Sequence, residues 1–165
     1  MRTPIRKLGK FGALTQDPLM TADKFSELKQ KLNTLYASRP QAAKEVSRLA
    51  ELGDFSENVE YQLAKSRLRG IHNRILTIEN QLKHAEIIEK PVHAHRVEIG
   101  HTVTVEVDGV EKMYQILGSS QSDPTKGIIS HNSPIGSALL GKKAGERVQL
   151  VLGGKEIEYK IIEIH

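Results

Sequence analysis

The residues best suited to chemistry stand in one short run, Gly53-Asp54-Phe55-Ser56-Glu57-Asn58-Val59-Glu60-Tyr61. Asp54 and Glu57 are three positions apart at what reads as a helix start, a spacing that lets both carboxylates face the same way. Two converging carboxylates suit a divalent cation, because Mg²⁺ takes one or two of them and completes its octahedron with water and phosphate oxygens. The same Asp-x-x-Glu pattern is also a capping box, whose side chains satisfy amide groups that the first helical turn leaves unpaired. Spacing alone leaves both readings open, but substitution chemistry separates them. Asn caps about as well as Asp, and Gln can replace Glu in the box, yet neither amide brings negative charge to a metal. Phe55 is either a brace for the following helix or an exposed contact.

Charge is ordered beyond this run. Residues 54–64 hold Asp54, Glu57 and Glu60 without Lys or Arg, whereas residues 65–74 hold Lys65, Arg67, Arg69 and Arg74 without Asp or Glu. On a helix Arg67 and Arg74 lie two turns apart on one face, with Lys65 and Arg69 on an adjacent face. An acidic point backed by a basic stripe suits a phosphodiester near a metal ion; a solvated helix face is the plain alternative. His93 and His95 are two positions apart, but no further ligand stands near them in sequence, and they read as part of a solvated linker.

The elements that must position these groups follow from hydrophobic spacing. Thr21 suits an N-cap, with Asp23 near the positive end of the helix dipole. Phe25, Leu28, Leu32, Leu35, Ala42, Val46 and Leu49 then recur at steps of three and four, interrupted at Arg39, and form one seam. Pro40 predicts a kink near Tyr36–Ala37 or a restart, and Gly53 a left-handed cap. Ala64, Leu68, Ile71, Ile75, Ile78, Leu82 and Ala85 form a second seam that Pro91 ends. Two such seams joined by a short turn predict an antiparallel helical hairpin, its arm roughly 45 Å long for about thirty residues, with Asp54 and Glu57 at its tip.

From Gly100 the period changes to two. Thr102–Val107, Asp108-Gly109 and Val110–Leu117 predict a hairpin, and Arg147–Leu152, Gly153-Gly154 and Lys155–Ile164 a second. Ser133-Pro134 reads as the N-cap and first position of a short helix over Ile135–Leu140 that Gly141 stops. The predicted class is α+β: an N-terminal antiparallel coiled-coil hairpin followed by a small antiparallel sheet with one short helix. The predicted organisation is a basic, disordered extension over 1–19, a hairpin domain over 20–90, a linker over 91–97 and a second domain over 98–165.

Bulk properties bound the possibilities. The 165-residue chain has no cysteine and no tryptophan, which excludes disulfides and thiol catalysis and disfavours an aromatic-lined pocket. No apolar run approaches the roughly 20 residues needed to cross a bilayer. The net charge of +4 is concentrated in residues 1–19, where Arg2, Arg6, Lys7 and Lys10 face Asp17 alone, so the body is nearly neutral. A targeting peptide at this end would lack a continuous apolar core.

Arg39-Pro40, the run Leu52–Tyr61, and Ser133-Pro134-Ile135-Gly136-Ser137-Ala138-Leu139-Leu140-Gly141-Lys142 resemble the hallmarks of the GreA/GreB elongation factors, in the family's order from about Met20 to the C-terminus. The resemblance implies an FKBP-like second domain and bacterial RNA polymerase as partner, that domain docking at the rim of the secondary channel while the hairpin reaches the active centre. It implies that Asp54 and Glu57 help hold a Mg²⁺ shared with the polymerase, that Ser56 assists, and that the polymerase then cleaves backtracked RNA. By the same carry-over, Lys65, Arg67, Arg69 and Arg74 face the nascent RNA 3′ end, and Asn132, Ser133 and Pro134 dock the polymerase. No cofactor is expected to stay bound to the chain alone. A cytoplasmic monomer, without membrane attachment and with possible DNA contact through the stripe, completes the expectation.

Arg67-Leu68-Arg69 leans towards GreB, and Pro134-Ile135 with Leu140-Gly141-Lys142 towards GreA. The rival readings are an inhibitory channel-binding protein of the same shape, a peptidyl-prolyl isomerase, and a plain structural coiled coil. The isomerase needs aromatic walls, and residues 97–165 offer only Tyr114 and Tyr159.

Overall fold

The computed structural model describes residues 17–51, 59–89, 91 and 94–165. The chain enters through a two-residue strand, β1 (Leu19–Met20), and runs into α1 (Ala22–Glu51). Thr21 caps that helix as its sequence position predicts, its hydroxyl oxygen accepting from the Lys24 amide at 3.3 Å while its carbonyl accepts from Phe25 at 3.0 Å. α2 (Val59–Lys83) returns antiparallel to it, and β2 (Glu86–Ile87) pairs in parallel with β1. This small pairing ties the entering and leaving chains together at the foot of the hairpin, so residues 52–58 join the helices at the opposite end.

The two predicted seams meet. Met20, Leu28 and Ile78 are buried together with Phe25, Leu32, Leu35, Leu82 and Ala85 around them. Further along, Ala42, Ile71 and Ile75 are buried with Leu32, Leu35 and Leu68. Pro40 does not restart the helix: α1 is one 30-residue segment with Pro40 inside it. An internal proline removes one backbone hydrogen bond and costs about 3 kcal/mol. Here apolar packing against α2 continues on both sides, through Leu35 before the proline and Ala42 after it.

The second domain is a five-stranded sheet in the order β5-β4-β3-β7-β6. Its strands are β3 (Thr102–Val107), β4 (Val110–Leu117), β5 (Ile128–Ser130), β6 (Arg147–Leu152) and β7 (Lys155–Ile164), with α3 (Pro134–Leu139) packed near β5 and β6. Both predicted hairpins form at the predicted residues. Their two-residue turns put Asp108 at φ 52° and Gly109 at 75°, and Gly153 at 59° and Gly154 at 81°, the positive values that type I′ turns demand. The β-strand alternation buries Val103, Val105 and Val107 against Ile116, Leu139, Tyr159 and Ile161. One pairing departs from the expected antiparallel sheet, since β5 joins β4 in parallel.

Two expected boundaries move. Asp17, Pro18 and Leu19 were placed in a disordered extension, yet Leu19 is in a strand and Asp17 accepts the Leu19 amide at 3.1 Å. The rest of that extension, residues 1–16, lies outside the described residues. Val97 was placed in the linker but is 1% exposed in the sheet domain's core. Its N–H donates to Lys142 O and its carbonyl accepts from Gly141 N, both at 2.8 Å, so it belongs to the second domain.

Candidate functional site

The tip acids Asp54 and Glu57, together with Ser56, Phe55 and Gly53, lie outside the described residues. What is described is the pair of helices that carries them. α1 ends at Glu51 and α2 begins at Val59, and the last buried seam residues on that side are Leu49 and Ala64. The helix seam therefore reaches within a few residues of the run that holds both carboxylates. Val59, within that run, and Leu63, two residues beyond it, are 68% and 65% exposed and contribute nothing to the hairpin core.

The basic stripe follows along α2. Lys65, Arg67, Arg69 and Arg74 are all exposed. Arg67 and Arg74 line one groove of about 340 Å³ with Gly70, Ile71, Ala42, Gln41 and Glu45, whereas Lys65 and Arg69 lie outside it. Gly70 lines that opening, and a Cβ added there would meet no atom within 4 Å. The Arg67 guanidinium stands 3.9 Å from Glu45 across the hairpin, a solvated pair of little energetic weight. The Lys65 ammonium lies 5.9 Å from the centre of the Tyr61 ring. Glu45 and Gly70 were not singled out from sequence: one looked like an ordinary helix carboxylate, the other like an isolated helix glycine.

The third group sits at the start of α3. Ser133 is its N-cap, its hydroxyl oxygen accepting from the Gly136 amide at 3.0 Å while donating to Ser130 O at 2.6 Å. Pro134 takes the first helical position, where no amide donor is needed. Asn132 and Pro134 are exposed. Gly136 is required by close packing, since a Cβ there would lie 2.1 Å from Ser130 O. Ser133 thus shapes the segment whatever else it touches.

Among the described residues no group of three His, Asp or Glu side chains is placed to hold a metal, and no helix is long and apolar enough to cross a membrane. His93 lies outside the described residues, and His95 is exposed. Tyr159 is 5% exposed within the core, with Tyr114 packed against that core, so neither forms the wall of an open aromatic pocket.

Comparison with known proteins agrees with this architecture. Residues 18–87 match the family described as transcription elongation factor, N-terminal, and residues 92–165 match transcription elongation factor, GreA/GreB, C-term. The chain belongs to the GreA/GreB family. It is 42% identical over 149 residues to transcription elongation factor GreA of Macrococcus caseolyticus, spanning 88% of this chain and 94% of that protein. It is 40% identical over 148 residues to GreA of Bacillus subtilis, with the same coverage of each. A crystal structure of GreA factor homolog 1 of Thermus thermophilus is 26% identical, with a TM-score of 0.41, covering 88% of this chain and 97% of that one. The chain is a transcription elongation factor, and the two matched regions of this family coincide with the hairpin and the sheet domain.

Proposed function

We propose that this factor binds bacterial RNA polymerase through the secondary channel and stimulates the polymerase to cleave the backtracked RNA 3′ end. The observation that supports the reading is the long paired-helix arm, whose helices end at Glu51 and resume at Val59 on either side of Asp54 and Glu57 in the sequence, while its foot rests on the sheet domain. Thirty helical residues span roughly 45 Å, enough to carry two carboxylates far from the surface that docks. Asn132, Ser133 and Pro134 form part of the docking surface in this reading.

The donor set fits a Mg²⁺ shared with the polymerase: Asp54 and Glu57 supply hard carboxylate oxygens and leave positions for water and phosphate. When bound, such an ion lowers the pKa of a coordinated water and balances charge on the displaced oxygen. Ser56 offers a neighbouring hydroxyl. Lys65, Arg67, Arg69 and Arg74 hold the displaced RNA strand by its phosphates, and any DNA contact through the same stripe is to the backbone. The factor is not itself a nuclease, because two carboxylates on a slender tip do not make a closed, water-controlled site. It acts as a monomer in the cytoplasm.

The test is cleavage of a stalled, backtracked complex with the wild type beside an Asp54→Asn, Glu57→Gln double variant. The expected result is RNA shortening by the wild type and a loss of roughly tenfold or more in the variant, by analogy with removal of one preorganised electrostatic partner. Equal activity from a folded double variant would leave the acids as caps only. Protection of the RNA by the wild type would replace this reading with that of an inhibitory channel-binding protein.

A further inference from the structure

The foot of the arm is joined to the sheet domain by a polar network that no seam or motif accounts for. Asp17, two residues before β1, accepts the Ser119 amide on Oδ2 at 2.6 Å from 102 positions away. The same oxygen is 3.4 Å from His131 Nδ1. Thr21 and Gln121 exchange two bonds: the Thr21 amide donates to Gln121 Oε1, and Gln121 Nε2 donates to Thr21 Oγ1, both at 2.8 Å. Between these two links Gly118 lies so close to Leu19 that a Cβ would stand 1.9 Å from Leu19 O. Thr21 is also the cap of α1. One hydroxyl therefore starts the helix and fastens it to the other domain.

The network does not stop at the joint. Ser119 Oγ is 2.8 Å from Ser130 Oγ, and Ser130 Oγ accepts the Asn132 amide at 3.1 Å. Ser130 O in turn accepts the Ser133 hydroxyl at 2.6 Å. The path runs from Asp17 through Ser119 and Ser130 to the segment Asn132–Pro134. We propose that Asp17, Thr21, Gln121 and Gly118 form a clamp that sets the angle between the arm and the docking segment, making them positioning residues for the tip acids.

The lever makes this angle matter. With an arm of roughly 45 Å, a swing of about 5° at the foot moves the tip by about 4 Å. A displacement of about 1 Å at a reacting centre can already cost on the order of a hundredfold. Side-chain hydrogen bonds and one close backbone approach at the foot are short-range restraints, and short-range restraints are what hold an angle. The proposal rests on the docking and cleavage reading above, so its test must distinguish failure of the clamp from failure of that reading.

The chain has no native cysteine, so two introduced at exposed Ser66 on α2 and Glu156 on β7 carry spin labels without competition. The interdomain distance distribution, stimulated cleavage and binding to polymerase are measured for four forms: the parent, Gly118→Ala, Asp17→Ala combined with Gln121→Ala, and Thr21→Ser. The expected result is one narrow distribution in the parent and in Thr21→Ser, which keeps the hydroxyl. The other two forms give a broadened or shifted distribution and a fall in cleavage of roughly tenfold, with binding within about twofold of the parent. Circular dichroism establishes that each form keeps its helices, and the polar double variant covers the case in which Gly118→Ala fails to fold. An unchanged distribution in a folded clamp variant overturns the clamp. A changed distribution with full cleavage overturns its positioning role. If Asp54→Asn, Glu57→Gln retains cleavage while the clamp variants broaden the distribution, the tip reading fails and the positioning of the acids with it, whereas the clamp on the interdomain angle stands.

Discussion

At the scale of single residues, the spacing of Asp54 and Glu57 is open to two chemistries, capping and metal binding, which an isosteric change separates. The seams that flank them were legible in the sequence and form as expected, so α1 ends at Glu51 and α2 begins at Val59 on either side of their run, while the two acids themselves lie outside the described residues. Ser133 was legible as a cap for the same reason that it functions as one, a hydroxyl followed by proline. Gly136 was not legible as a packing residue, since only the tertiary approach of Ser130 O, 2.1 Å from an added Cβ, excludes a side chain there. Gly136→Ala is expected to destabilise the sheet domain by about 1–3 kcal/mol, because the obstructing atom is backbone and cannot rotate away. Urea unfolding followed through a sheet-domain probe checks this, and an unchanged midpoint would mean that α3 shifts freely on β5.

At the scale of elements, long periodic segments read correctly and short ones did not. α1, α2 and both β-hairpins carry enough residues for a period of 3.6 or 2 to declare itself. β5 has three residues and β1 and β2 two each, too few for any period, and their partners are set by tertiary placement. Of the two outcomes that Pro40 offered, a kink or a restart, the single helix over Ala22–Glu51 excludes the restart, and apolar packing continues on both sides of the proline. The two buried clusters of the hairpin make a specific prediction about where its stability resides. Ile75 is 2% exposed and central to the cluster with Ala42 and Ile71. Ile75→Ala should cost about 2–5 kcal/mol, whereas Leu76→Ala beside it, at 51% exposure, should cost far less. Thermal unfolding followed by the helical signal distinguishes the two. Equal losses would show that the seam is not what joins the helices.

At the scale of the whole molecule, the relation between the domains depends on a residue that charge counting hid. Asp17 is the one acid among the basic residues of 1–19, and it looked like a minor neutralising charge. In the fold its side chain is 8% exposed. Burial alone would raise its pKa, but hydrogen bonds from the Ser119 amide and hydroxyl and from the Leu19 amide, with the nearby His131, together hold it below the ordinary 3.8. A carboxyl whose folded pKa is depressed binds fewer protons when folded than when unfolded. Its stabilisation is therefore complete above about pH 5, starts to fade as the unfolded chain takes up protons near the ordinary value, and is gone once pH falls through the lowered value. The wild type should lose stability across this acid range, and Asp17→Asn should lose less of it because one titrating group is removed. The comparison is made by thermal unfolding at fixed ionic strength from pH 7 down to pH 3. Near neutrality Asp17→Asn should already be the less stable form, since an amide oxygen is a weaker acceptor for the Ser119 amide than a carboxylate. Parallel curves for the two proteins across the whole range would show that the ionised carboxylate contributes nothing at the foot of the arm. The joint would then rest on the two Thr21–Gln121 hydrogen bonds and the close approach of Gly118 to Leu19.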